Sequence, residues 1–158
     1  MNPEIKTIPE KKLIGMHITV TPESNPTGEL WRRFMPRRRE ITNAIGAEVV
    51  SMQIFDPSTQ FGAMQQPPTF ENWAAVEVAD FSVVPDGMET YTLAGGKFVT
   101  YLHIGTDAKY FENLGYMFTE WLPANGLTVD SREHFELLGE RYKVNDPASE
   151  EEVWIPVK

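Results

Sequence analysis

The sequence predicts an α+β fold of two β-α-β-β units related by a pseudo-twofold axis. The units join in one curved, mostly antiparallel sheet with both main helices on one face. Three observations carry this reading. Strand-like alternation and helix-like spacing follow one another in the same order in both halves of the chain, about 1–80 and 88–158. The run LIGMHITV (Leu13–Val20) lies over FVTYLHIG (Phe98–Gly105), which sets His17 against His103 at a spacing of 86 residues. Trp73 and Trp154 then fall on a late strand of each half, 81 residues apart. Identity between the halves is slight, so what repeats is the order of elements, and helices gathered on one face of an antiparallel sheet define the α+β class.

The elements follow in order. From Leu13 to Thr21, Met16, Ile18 and Val20 alternate with His17, Thr19 and Thr21, the period of a half-buried strand. After a turn-rich loop from Pro22 to Gly28, Leu30, Trp31 and Phe34 mark the apolar side of a helix that Pro36 kinks or ends. Strands are expected at Val49–Phe55 and Trp73–Ala79, separated by a Pro-, Gln- and Gly-rich loop from Asp56 to Thr69. The turn Pro85-Asp86-Gly87 leads to a short strand at Glu89–Leu93, and Gly95-Gly96 to another at Phe98–Ile104. Phe111, Leu114, Phe118 and Trp121 recur every three or four residues as the stripe of a core-facing helix, stopped by Pro123 and Gly126. Phe135–Leu138 and Val153–Val157 are the last strands.

With 158 residues the chain is long enough for one domain, 1–158, with a proper core. It has no Cys, which removes disulfides, thiolate metal sites and thiol nucleophiles. The start, MNPEIKTIPEKKLIGM, has no apolar signal region and no later run approaches bilayer length, so a cytoplasmic protein without membrane contact is expected. The net charge of −9 sets the global field against nucleic acid. Arg32, Arg33, Arg37, Arg38 and Arg39 form one basic patch, but no aromatic is interleaved for base stacking, and a solvated helix face paired to nearby carboxylates is the better reading.

A groove between two helices over a sheet is a common place for a small-molecule pocket. Glu136, in HFELL, has apolar neighbours on both sides. A carboxylate in such a place is costly unless paired. Arg132, Arg141 or a backbone amide are the partners the sequence offers. Among the many large rings, Trp31, Trp73 and Phe111 are pocket candidates, because they lie near helix starts or on a strand bordering the cleft; Tyr101 joins them, and Trp121 and Trp154 read as core. Glu77 shares a strand face with Trp73 and Ala75 and is a candidate second acid, or else a strand-edge Glu in water. His17, His103 and His134 form no i, i+4 pair and no ligand cluster, so neither metal nor other cofactor is expected. His17 and His103 read as hydrogen-bonded structural residues.

The segments AGGKFVTYLHIGT, EWLPANG, DSREHFELLGERY and DPASEEEVWIPVK resemble the second half of the GyrI-like family, also known as the AraC-type effector-binding domain. The ELWRRFMPRRREI helix resembles its first half, so the likeness covers essentially the whole chain. The resemblance implies a duplicated β-α-β-β fold whose cleft takes lipophilic, often cationic, aromatic compounds. It implies that Glu136, after the aromatic of the FE motif, contacts the ligand. Two residues on, where that family often has Tyr, this chain has Leu138, which alters pocket shape and polarity. No DNA-reading module fits beside the domain, so direct nucleic-acid contact is not expected. The leading expectation is therefore a stand-alone module that binds or sequesters a lipophilic cation, alone, as a homodimer or with a protein partner. The family also suggests two alternatives. One is hydrolysis of a strained cyclopropane-type genotoxin assisted by Glu136 or Glu77, and the other is gyrase-inhibitor-like binding of a protein through the acidic surface.

Overall fold

A computed structural model describes residues 1–62 and 67–158. Eight strands form one antiparallel sheet: β1 (Glu4–Ile8), β2 (Lys11–Val20), β3 (Val49–Phe55), β4 (Phe70–Val78), β5 (Glu89–Leu93), β6 (Gly96–Ile104), β7 (His134–Leu138) and β8 (Glu150–Pro156). Their order in space is β1-β6-β8-β7-β3-β4-β2-β5. Two main helices complete the fold, α1 (Thr27–Phe34) and α2 (Asp107–Tyr116).

The order carries the expected pseudo-symmetry. The β6-β8-β7 set of the second half meets the β3-β4-β2 set of the first half at the central β3–β7 pair. One strand was not anticipated. The segment EIKTI is exposed along most of its length and gives no alternation, yet it forms β1 and pairs with β6 of the other half. In return β5, which leads the second half, pairs with β2 of the first. Each half thus hands its leading strand to its neighbour, and the two are interlocked through backbone hydrogen bonds.

Alternation along the strands sorts the side chains onto two faces. On one face, Ile14 and Met16 of β2 and Ala74, Val76 and Val78 of β4 receive Leu30 and Phe34 of α1, both fully buried. On the same face, Val99 and Tyr101 of β6 and Val153 and Ile155 of β8 receive Met117 and Leu122 from the chain that continues α2. Each such large side chain contributes roughly 1.5–3 kcal/mol by leaving water. The opposite face carries a second core of Leu13, Val50, Met52, Trp73, Phe98, Phe135 and Trp154, with Phe135 stacked on Trp154 at 5.4 Å. Gly15 lets β2 and β4 approach, since a Cβ there would run into the Ala74 carbonyl.

Leu30 and Phe34 are four residues apart and so share one side of α1. The α-helix ends at Phe34, and Pro36 opens a 3-10 turn over Met35–Glu40. The arginines there face water or local acceptors: Arg37 pairs with Glu40 at 2.8 Å, and Arg38 donates to the Ala47 carbonyl. Thr106 caps α2 by accepting from the Lys109 backbone N–H. Beyond Tyr116 the helix widens into a π turn, Met117–Trp121, and ends in the short helix Leu122–Ala124. The expected stripe is therefore corrected at its first member. Leu114, Phe118 and Trp121 pack on the sheet, but Phe111 is 67% exposed and Tyr110 takes the inward place. Tyr110 and Phe111 stand four and three residues before Leu114, both helical spacings, so the period alone does not choose between them.

Candidate functional site

Register places one row of side chains straight across the helix-bearing face: Met16, Ala74, Ser51, Glu136, Val153 and Tyr101. α1 packs over β2 and β4, and α2 over β6, so the central pair β3–β7 forms the floor between the helices. Glu136 stands at the centre of that floor and is 7% exposed.

Neither arginine offered by the sequence reaches it. Arg132 pairs with Asp130 at 2.8 Å and also donates to the Gly95, Lys97 and Val157 carbonyls, while Arg141 pairs with Glu150 at 3.4 Å. Glu136 is instead served by neutral groups. Gln53 Nε2 donates to Glu136 Oε1 at 3.2 Å and to Ser51 Oγ at 3.2 Å, and the Tyr110 hydroxyl faces the carboxylate from α2. A second acid, Glu151 of β8, lies on the same face opposite His103. Burial, and then the charge of Glu151, push the Glu136 carboxyl up to about 8, against the opposing hydrogen bonds from Gln53 and Tyr110. Burial, and then Asp107, push Glu151 up to about 7. Glu136, without a basic partner among the described residues, favours its protonated form because ionising it in a buried place is costly, and the half-buried Glu151 is shifted in the same direction.

The walls are phenolic on the α2 side. Tyr101 is buried, and its hydroxyl has no partner among the described residues. Burial and the charges of Glu136 and Glu151 raise its pKa. Tyr110 is raised well above its ordinary value by burial and Glu136. His103 Nε2–H donates to the Thr106 carbonyl at 3.2 Å, its Nδ1 accepts from Asn113 Nδ2 at 3.4 Å, and its ring sits edge-on to Tyr110 at 5.6 Å. Along the floor the groove meets an aromatic cluster, where His134 packs on Phe55 at 4.9 Å and on Phe61 at 4.8 Å, with Phe118 beyond.

The structure gathers some of the sequence candidates here and parts others. Glu136, Tyr101 and Leu138 share the helix-bearing face, and the half-buried Trp31 packs against the α1-side core that contains Leu138. Trp73 and Glu77 lie on the opposite face. Trp73 stacks on His17 at 4.4 Å, and Glu77 pairs with Lys11 at 3.2 Å, so neither reaches the floor beside Glu136. NWAAVEV is apolar on both faces of β4, and its pattern therefore does not say which face meets the helices. Phe111 points outward from α2, as described. His17 is held by Glu71 and Glu89 at 2.6 and 2.5 Å.

Three residues of the site escaped the sequence reading. Gln53 gave no signal. Tyr110 stands next to Phe111, the ring that the helical stripe singles out. Glu151 was detectable, since extending the last strand back through EEE places it two residues before Val153 and hence on the Tyr101 face. Among the described residues no group of three or more His, Cys, Asp and Glu side chains is placed to hold a metal ion, and no helix is long and apolar enough to cross a membrane.

Comparison with known proteins places this geometry. The chain is 27% identical over 160 residues to the transcriptional regulator BrlR of Pseudomonas aeruginosa, covering 99% of this chain and 56% of the regulator. It therefore spans about half the length of that curated relative. Among solved structures, SAV2435 bound to tetraphenylphosphonium superposes with a TM-score of 0.70 at 17% identity, over 100% of this chain and 94% of the other. A hydrolase from Listeria innocua superposes with a TM-score of 0.59 at 13% identity, over 99% and 91%. These two likenesses establish the shared fold. The model of the GyrI-like small molecule binding domain matches residues 1–158, and the chain belongs to that family.

Proposed function

We propose that the protein binds lipophilic cations bearing aromatic rings in the groove between α1 and α2, with Glu136 as their counter-charge. The observation that carries this is a buried carboxylate served, among the described residues, only by Gln53 and Tyr110, while the nearby arginines are committed elsewhere. A hydrated ion gains little by entering such a site, but a cation already poorly hydrated supplies the missing charge at small desolvation cost. Tyr101 and Tyr110 offer ring faces worth about 0.5–2 kcal/mol each to a desolvated cation. Trp31 and Leu138 complete the α1 side, where Leu138 gives apolar contact in place of a hydroxyl. The tetraphenylphosphonium bound by SAV2435 belongs to the ligand class this reading favours. Adaptable contacts of this kind give micromolar affinity, about −8 kcal/mol. Sequestration, or sensing through a partner protein, is the role such a module would serve.

Fluorescence titration with a rhodamine, in parallel on Glu136→Gln, tests the reading. Saturable micromolar binding that the folded variant loses is expected, and equal binding by both proteins would overturn it.

The two neighbouring acids also favour a second reading, hydrolysis of a strained electrophile, in which protonated Glu136 donates its proton to the leaving group as water attacks and ionised Glu151 takes the proton from the water. Product accumulating with time and abolished in Glu136→Gln distinguishes turnover from binding.

A further inference from the structure

Two acids stand on the helix-bearing face, and among the described residues no basic side chain answers either. Val153 of β8 lies opposite Glu136 of β7, and Glu151 stands two residues before Val153. The two acids therefore occupy a diagonal of the β7–β8 pair, with backbones about 7–8 Å apart. His103 faces Glu151 across the β6–β8 pair, but its two nitrogens are engaged by the Thr106 carbonyl and Asn113 Nδ2. Arg141 pairs with Glu150, which alternates onto the opposite face. Lys109, in the first turn of α2, pairs with Glu112.

The two acids differ in their access to water. Glu136 is buried at the centre of the floor. Glu151 is half-buried, and Asp107, exposed in the first turn of α2, is close enough to act on its charge. What separates the two carboxyls is apolar and aromatic. Val153 is buried between them, and the register carried one step past the Leu137–Glu152 pair sets Leu138 against Glu151, so β7 offers this acid no side-chain donor. Tyr101 lies beside Val153 in the row of Glu136, and the charges of both acids act on it. It is 3% exposed, and its hydroxyl has no partner among the described residues.

We propose that the groove takes a flat aromatic dication of the bipyridinium class, with one charge at Glu136 and the other at Glu151 and Asp107. This rests on the reading of the groove as a cation site and names the ligand more closely. A single positive charge answers one acid and leaves the other bare, whereas two charges joined by a biaryl spacer answer both across the diagonal. The spacer lies on Val153, Leu138 and Tyr101. The charge at Glu136 gives up its water, and the charge at Glu151 keeps part of its own, which lowers the cost of bringing two cations into one groove.

Methyl viologen and the N-methyl-phenylpyridinium cation are the probes, two linked rings in each case, with two charges and one. Each is titrated calorimetrically against the whole chain at pH 8. The dication is expected to bind more tightly by at least about tenfold, as a second close charge pair implies. Glu151→Gln should bring the two probes to equal affinity and leave the monocation unchanged, while Glu136→Gln should weaken both. Glu152→Gln removes the same charge from the opposite face of β8 and should keep the preference. Equal affinity for the two probes in the unaltered protein, a preference that survives Glu151→Gln, or one that falls as far in Glu152→Gln would each overturn the proposal and leave the cation site standing. Failure of both probes to saturate would overturn the cation site, and the proposal with it.

Discussion

Ser51 lies directly opposite Glu136 across the central β3–β7 pair, and the two side chains share the floor of the groove. They come one from each half of the chain, and only one of them carries an acid. The asymmetry gives the floor a single counter-charge beside a hydroxyl, with Gln53 bridging the two. Replacing that hydroxyl with a cation should answer the carboxylate from within the protein. Ser51→Lys is expected to weaken binding of a lipophilic cationic dye by at least about tenfold, as a close charge pair in a low-dielectric site implies. Dye titration checks this, with an uncharged dye as the control.

Glu136 makes the fold pH-dependent in the direction opposite to a salt-bridged acid. Its carboxyl is raised from 4.5 to about 8, chiefly by burial, so the native state holds a proton that the unfolded chain releases. Stability therefore falls as pH rises from about 4.5 through about 8. Glu136→Gln keeps the shape and cannot ionise. It should match the unaltered protein near pH 4 and exceed it at pH 9 by roughly 2 kcal/mol or more, measured by urea unfolding at both pH values.

His134 acts on the acid side. Burial lowers its pKa to about 3, with Arg132 adding to the effect, so the native state excludes a proton that the unfolded chain accepts below about 6.5. Its contribution is present above that pH and is lost as pH falls toward 3. His134→Phe should melt higher than the unaltered protein at pH 4 and change less at pH 7. Thermal melts across that range provide the check.

His17 is stacked on Trp73 at 4.4 Å while Glu71 and Glu89 flank its two nitrogens. Burial works against its charge, but the two carboxylates outweigh it and raise the pKa above 6.5. The clamp's stabilisation is complete below that pH and is lost as pH rises through the raised value. An imidazolium on an indole quenches it, so Trp73 emission should increase over the same interval. Glu71→Gln should move the transition to lower pH, and Trp73→Phe should abolish the signal.

The sequence made the strands legible wherever alternation was clean, as in β2 and β6, and it named Glu136 through its motif. It failed where physics leaves no one-dimensional trace. WAAV of β4 is apolar on both faces, so the face of Trp73 and Glu77 depends on where the helices settle. Tyr110 and Phe111 both lie at helical spacing from Leu114, so periodicity alone does not say which of them faces the sheet. β1 is held by backbone pairing with β6 and buries little, so no hydrophobic pattern marks it. Gln53 is one polar residue among others until the register brings it beside Glu136.

On this reading a bound cation takes the place of a proton on Glu136. Calorimetric titration with tetraphenylphosphonium at pH 7, in two buffers of different ionisation enthalpy, counts the protons exchanged on binding. Release approaching one proton per cation is expected from the unaltered protein, and loss of binding in Glu136→Gln. Binding without proton release, and with equal affinity in Glu136→Gln, would contradict it.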